Sequence, residues 1–344
     1  MTRPKVYITR RLAPEARAIV AQSCELAEWG DEAAPVPRDV LLQAVAGVDG
    51  VLSLLTERID AAFLDAAPRL RAVATMAVGY DNVDLAALTR RGVLLTNTPD
   101  VLTETTADLV WALMLAAARR IVEGQQTIQR GGWGSWSPAF MTGHDVWGAT
   151  LGIVGAGRIG AAVARRARGF QMPIIYHNRS PAPELEAASG ARHLPLDALL
   201  GEADFVVVLV PLSDATRGMF GAREFALMKP TSVFVNASRG PVVRELELVE
   251  ALKQGRPWAA GLDVFEREPI GADHPLALLP NATIVPHIGS ATVRTRTLMA
   301  TTAARNLVAA LAGEAPPNPV NPEVLPLTPD TRALRTRPEA EASG

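Results

Sequence analysis

Residues 150–170 read TLGIVGAGRIGAAVARRARGF. A short apolar run, Leu151–Val154, leads into Gly155-Ala156-Gly157-Arg158-Ile159-Gly160, and a helical pattern follows at once. A G-x-G-x-x-G loop between a strand and a helix is a phosphate cradle. Gly155 allows the tight turn, Gly157 lets the backbone approach a pyrophosphate, and Gly160 lets the helix pack closely on the strand. The helix start then offers free N–H groups and a positive dipole end to the anion. The whole loop, Arg158 and Ile159 included, is a candidate dinucleotide site.

On either side of this loop, apolar strand-like runs alternate with helical spacing. Lys5–Thr9, Gly50–Leu55, Arg71–Ala77 and Val93–Thr96 form one set of strands, separated by Pro14–Gln22, Arg38–Val45 and Leu85–Arg91 as helices. A second set comprises Leu151–Val154, Pro173–Tyr176, Phe205–Val210, Ser232–Asn236, Trp258–Leu262 and Ala282–Val285. Such alternation predicts an α/β protein with two parallel sheets flanked by helices. Thr103–Arg130 reads as one long helix behind a hinge at Pro99, and Ala291–Ala312 as another, stopped by Gly313. The PPNPVNP segment (316–322) predicts extended chain, and the residues up to Gly344 a tail.

A length of 344 residues favours two domains over one core. With 34 basic and 36 acidic residues the net charge is −2, which argues against a nucleic-acid partner. The single cysteine, Cys24, can form no internal disulfide, which suggests a reducing compartment. The N-terminus has no continuous apolar segment of the secretory kind. The longest apolar runs, such as Val110–Ala118, fall short of the roughly 18 residues that span a bilayer. A cytoplasmic protein without a membrane partner is expected.

The strand after the glycine loop ends in Tyr176-His177-Asn178-Arg179-Ser180. NAD sites place Asp or Glu near here for the ribose 2′-hydroxyl. None is present. An acid would repel a 2′-phosphate, whereas a guanidinium pairs with it. Asn178, Arg179 and Ser180 therefore predict NADP(H) in preference to NAD(H).

Three later segments each follow a predicted strand: Asn236–Gly240, Gly261–Pro269 and Pro286–Ser290. Ligands in open α/β sheets bind outside the carboxyl ends of strands. Arg239, a glutamate and His287 brought together there suit reduction of a 2-oxo acid. Arg239 can grip the carboxylate through paired hydrogen bonds. His287 can pass a proton to the carbonyl oxygen as hydride reaches the carbon. Spacing leaves Glu266 and Glu268 as competing partners for His287. His144, His177, His193 and His274 read as loop or surface residues, and no cluster has metal-ligand spacing.

The set GIVGAGRIG (152–160), NASRGPVV (236–243), GLDVFEREP (261–269) and PHIGSAT (286–292) resembles the D-isomer-specific 2-hydroxyacid dehydrogenase family over nearly the whole chain. Within it the chain is most similar to glyoxylate/hydroxypyruvate reductases. The resemblance implies Arg239, Glu268 and His287 as the catalytic trio. It implies Val78 and Gly79 of AVGYDNVDL as backbone contacts to the substrate carboxylate, and Thr106 of ETTADLVWALML on the nicotinamide side. Val210, Pro211 and Thr216 match the loop beside adenosine and pyrophosphate. Ala237, Asp263 and Gly289 match contacts to nicotinamide. It further implies a flavodoxin-like substrate-binding domain over 1–98 and 288–325, a Rossmann domain over 99–287 and a homodimer, which leaves 326–344 as an extended or mobile tail.

Related families differ at telling positions. Phosphite dehydrogenases carry Lys where Val78 stands and an acid near Asn178, and formate dehydrogenases put Gln where Glu268 stands. WGSWSPAFMTG (133–143) resembles the substrate-selecting loop of glyoxylate reductases, with Phe140 in the place of an aromatic that closes a neighbouring subunit's pocket. Plain packing of Trp133, Trp136 and Phe140 is the competing account. The expected reaction is NADPH-dependent reduction of glyoxylate and hydroxypyruvate. The alternatives are a dehydrogenase for larger 2-ketoacids and a nucleotide-sensing, corepressor-like binding protein.

Overall fold

The computed structural model describes residues 2–326. The chain begins β1 Lys5–Ile8, α1 Pro14–Ser23, β2 Glu25–Glu28, α2 Arg38–Ala44, β3 Gly50–Ser53, α3 Ala61–Ala66, β4 Ala72–Thr75, α4 Leu85–Arg90 and β5 Leu94–Thr96. It continues with α5 Thr103–Ala118, α6 Ile121–Gln129, β6 Leu151–Val154, α7 Arg158–Ala167, β7 Ile174–His177, α8 Pro183–Ser189, β8 Arg192–His193, α9 Leu196–Glu202 and β9 Phe205–Val208. Then come α10 Ala222–Leu227, β10 Val233–Asn236, α11 Glu245–Lys253, β11 Ala259–Leu262, β12 Ala282–Ile284 and α12 Val293–Ala312.

These elements fall into two compact units. One holds the chain up to Leu102 and again from Ala291; the other spans Thr103–Ser290. The chain passes between them at 102/103 and 290/291, next to the starts of α5 and α12, rather than at the expected 98/99 and 287/288. The tail expected over 326–344 lies, from residue 327, outside the described residues.

In the first unit five parallel strands take the order β2-β1-β3-β4-β5, a flavodoxin-like winding. Side chains alternate between its faces, as strand geometry requires. Val6, Ile8, Leu52 and Ala74 pack under α1 and α12 with Val20, Ala303 and Leu307. Tyr7, Val51, Val73 and Leu95 face the other way with Leu41, Phe63 and Leu88. Gly50 lets α12 come close in the first packing: a Cβ there would lie 2.8 Å from Leu311 Cδ1, which would have to shift. The proline-rich segment runs along the β5 edge. Asn321 accepts from Leu95 N at 2.7 Å and donates to Val93 O and Thr89 Oγ1, both at 3.0 Å.

In the second unit seven parallel strands run β12-β11-β10-β9-β6-β7-β8. This is the doubly wound nucleotide-binding order with one strand added, and it reverses at β6. One face carries α5 and α7, with Val110, Leu113, Ala162 and Val163 buried on Ile153, Val207 and Val235. The other packs Leu199, Phe225 and Leu248 on Val154, Val206 and Phe234. The expected single helix over Thr103–Arg130 is two. Ala118 O at the end of α5 accepts from His144 N at 3.0 Å, Gly143 passes so close that a Cβ would lie 2.1 Å from that oxygen, and Arg120 takes a left-handed conformation (φ 53°). Strand β2 and helix α3 were not expected; β2 is a polar edge strand whose residues are exposed or half-buried, so it lacks the apolar signal of its neighbours.

Candidate active site

The sheet order reverses beside the glycine loop. Gly155 has φ +97°, and a Cβ there would stand 2.7 Å from Leu209 C and Val210 N. At Gly160 a Cβ would meet Gly155 O at 2.7 Å. The chain is thus pressed against the loop after β9 at Gly155 and against its own turn at Gly160, with no room for a side chain at either glycine, while Arg158 and Ile159 form the first turn of α7. Gly157 caps α7 without a side-chain bond, and no acid lies in its first turn. A start of that kind presents bare N–H groups, which fits the pyrophosphate of a dinucleotide.

Asn178 bonds to the glycine loop. Its Oδ1 accepts from Ala156 N at 2.7 Å, so the end of β7 latches the glycine loop. The Asn178 carbonyl is in turn bonded by His193 Nε2 at 3.1 Å. Arg179 and Ser180 follow, both exposed. In the loop after β9, Thr216 Oγ1 donates to Pro211 O at 2.6 Å and accepts from Ser213 N at 2.8 Å. The Thr216 hydroxyl therefore shapes the Val210–Thr216 turn itself.

The three polar segments after β10, β11 and β12 converge. Asn236 organises the first: its Oδ1 accepts from Ser238 N at 3.0 Å and Ser238 Oγ at 2.8 Å, and its Nδ2 donates to Arg239 O at 3.1 Å. Arg239 Nη1 donates to Ser238 O at 3.0 Å. A Cβ on Gly240 would fall 1.8 Å from both C and O of Phe265, so the loops after β10 and β11 touch backbone to backbone. Glu268, not Glu266, meets His287: Oε2 lies 2.8 Å from Nδ1, and Oε1 accepts from Phe265 N at 2.9 Å. A carboxylate can only accept, so Nδ1 carries the proton and Nε2 is left for chemistry. Both side chains are about one-third exposed, at 31% for His287 and 34% for Glu268. Burial pushes the Glu268 carboxyl up, but the bond from His287, the Phe265 N–H and the Arg239 charge outweigh it and hold the group below its ordinary range.

Asp263 holds this turn. Its carbonyl accepts from His287 N at 2.9 Å, its Oδ1 from Ile288 N at 2.6 Å and its Oδ2 from Gly289 N at 2.9 Å. Three successive amides are thereby fixed by one residue. The turn is strained, since His287 has φ +51°. A left-handed non-glycine residue costs about 1–2 kcal/mol. Burial pushes the Asp263 carboxyl up to about 6, against the pull of the two N–H donors and His287. Gly289 sits so tightly that a Cβ would be 3.0 Å from Asp263 Oδ2, with the buried Thr106 of α5 beyond it. Ala237 is half-buried at the end of β10.

Two further assignments belong to the first unit, and one to the loop after α6. Val78 and Gly79 follow β4 in the first unit, where Val78 O accepts from Asn97 Nδ2 at 2.9 Å. Phe140 is 42% exposed in the loop after α6. Of the four histidines expected as loop or surface residues, His193 is exposed, in the edge strand β8, whereas His177 is half-buried at the end of β7. His274 is half-buried and bonded through Nε2 to Glu245 Oε1 at 3.0 Å. Asn236 is not among the site residues expected from the sequence, although its place two residues before Ser238 is the spacing of a side-chain-to-backbone turn.

The second unit carries the family signature. Residues 111–289 match the model of the D-isomer specific 2-hydroxyacid dehydrogenase NAD-binding domain. The chain belongs to the D-isomer-specific 2-hydroxyacid dehydrogenase family. It is 50% identical over 327 residues to the glyoxylate reductase of Thermococcus gammatolerans, covering 94% of this chain and 97% of that one. Identity to the glyoxylate reductase of Korarchaeum cryptofilum is 48% over 328 residues, 95% and 98% of the two chains. Among solved structures it resembles a Thermus thermophilus protein (TM-score 0.86, 43% identity, 92% of this chain and 99% of that one). It also resembles an NADPH-dependent glyoxylate/hydroxypyruvate reductase of Sinorhizobium meliloti solved with NADP and malonate (TM-score 0.79, 34% identity, 92% and 97%). This dehydrogenase is thus an NAD(P)-dependent oxidoreductase, and the two α/β units with parallel sheets are the family's fold. Among the described residues no helix is long and apolar enough to cross a membrane.

Proposed function

We propose that the protein reduces small 2-oxo acids, glyoxylate to glycolate and hydroxypyruvate to D-glycerate, using NADPH in preference to NADH. The observation that carries this reading is the 2.8 Å contact of His287 Nδ1 with Glu268 Oε2, on a loop in backbone contact with the one that carries Arg239. Glycines 155, 157 and 160 with Arg158 and Ile159 would hold the pyrophosphate. Asn178, Arg179 and Ser180 would hold the 2′-phosphate, and Val210, Pro211 and Thr216 the adenosine side. Thr106, Ala237, Asp263 and Gly289 would face the nicotinamide, which supplies the hydride when bound.

The chain's own residues do the rest. The Arg239 guanidinium pairs with the substrate carboxylate and polarises the adjoining carbonyl. His287 Nε2 hands a proton to the carbonyl oxygen, while Glu268 fixes the ring tautomer and supplies the counter-charge. In the reverse direction the neutral ring takes the proton back. The first unit is the proposed substrate-binding domain, with the Val78 and Gly79 amides as its carboxylate contacts. A second copy of the chain is the proposed partner, through α6 and the loop that carries Trp133, Trp136 and Phe140. The cytoplasm, where the buried Cys24 would stay a thiol, is the proposed location.

Steady-state rates on glyoxylate with each cofactor test the reading. A higher kcat/KM with NADPH is expected; a clear NADH preference overturns the cofactor assignment, and no turnover of any 2-oxo acid overturns the activity. Charge-assisted hydrogen bonds contribute about 1.5–3 kcal/mol. Arg179→Ala should therefore raise KM for NADPH by about ten- to a hundredfold and leave NADH use little changed.

A further inference from the structure

Glu268 has no anchor of its own in the sheet. Its loop leaves β11 at Leu262, and from Glu266 to Pro269 every residue is exposed. What holds that stretch comes from outside it. Glu245, the first residue of α11, accepts from Glu266 N through Oε2 at 3.0 Å. Its other oxygen, Oε1, takes the Nε2 proton of His274 at 3.0 Å. His274 presents its ring to Phe265 in an edge contact, with centroids 6.1 Å apart. Both side chains lie mostly out of water, at 13% exposure for Glu245 and 21% for His274. Because a carboxylate can only accept, the Nε2 tautomer is dictated, and Nδ1 is left to face Leu276 N at 3.4 Å. Phe265 N, next to the pinned Glu266 amide, is the donor that orients Glu268.

We infer that Glu245 and His274 are positioning residues for the reaction, pinning the Phe265–Glu266 backbone so that Glu268 is held against His287. The inference rests on the reading of Glu268 and His287 as reacting partners and adds the pair that acts through them. Neither residue touches the ring of His287; each acts on the frame that carries its partner. Outer hydrogen bonds of this kind are often worth a factor of ten or more in function, because a small displacement of a reacting group is costly.

The test uses full-length His274→Ala, Glu245→Ala and His274→Gln. A glutamine amide can still donate to Glu245. Carbon-detected NMR of the Glu268 carboxyl gives a readout that needs no turnover, with Glu268→Gln for assignment. In both alanine variants the Glu268 midpoint should move up, because its contact with His287 loosens. Simple removal of the Glu245 charge would move it down, so the direction separates positioning from plain electrostatics. Glyoxylate reduction should lose about tenfold in kcat with the cofactor Kd unchanged, and His274→Gln should recover most of both. A Glu268 midpoint that stays put or falls in the alanine variants overturns the inference, as does a glutamine variant no better than alanine. Absence of turnover in the wild type would instead strike the proposed activity, and the carboxyl titration would still decide the role of the pair.

Discussion

At the scale of single residues, Asp263 carries the most structural responsibility for its size. One buried carboxyl and its own carbonyl satisfy the amides of His287, Ile288 and Gly289. Its raised pKa, about 6, against about 3.9 in an unfolded chain, makes this a pH-dependent bargain. Between those values the folded protein keeps a proton that the unfolded chain has released, so stability falls as pH rises from about 4 to about 6. The scale is about 1.4 kcal/mol per pH unit of difference, hence no more than about 3 kcal/mol. Asp263→Asn lacks this slope. Urea unfolding at several pH values should show the wild-type advantage over the variant shrinking across that window; a constant gap would mean that Asp263 ionises normally. Glu268 works with the opposite sign: its pKa is lowered, so its contribution is present above the unfolded value of about 4.3 and lost only as pH falls through the folded one. Arg239 and His287 could be picked out by residue type at strand ends. The clamp made by Asp263 could not, since a carboxylate bound to amides 25 and 26 positions away leaves no local pattern.

At the scale of elements, buried strands were legible because both faces are apolar, and β6 with its glycine loop was the clearest of all. Helix α6 was not distinguished from α5. Nothing in Arg119–Arg120 marks a break; the cause is a loop that returns to take the Ala118 carbonyl. That split matters because α6 has no buried residue among its nine. Isolated helices shorter than about 12–15 residues are marginal in water. Ile128 is 60% exposed and Trp136 79%, with Ile121, Trp133 and Trp147 exposed in the same stretch. Apolar side chains exposed in this way suit the subunit contact proposed above. We therefore expect sedimentation of the wild type as a dimer at micromolar concentration, and of Ile128→Asp/Trp136→Ser as a monomer with its second unit still folded. A monomeric wild type would refute α6 and the loop after it as a subunit contact.

At the scale of the molecule, the two parallel sheets could be read from alternation alone, whereas the edge strand β2 and the docking of Asn321 on β5 depend on partners distant in sequence. That docking, and the packing of α12 on β3, imply an order of events during synthesis. A ribosome that has released residue 290 has delivered every strand of the seven-stranded sheet, but the earlier sheet still lacks the helix that covers Val6, Ile8, Leu52 and Ala74. The first domain to emerge is the last to finish. Nascent chains stalled with residue 290 clear of the exit tunnel should resist protease over Thr103–Ser290 while the first hundred residues are cut. During that interval the early segment is a natural client for a chaperone, and its translation speed past residue 290 sets how long the exposure lasts.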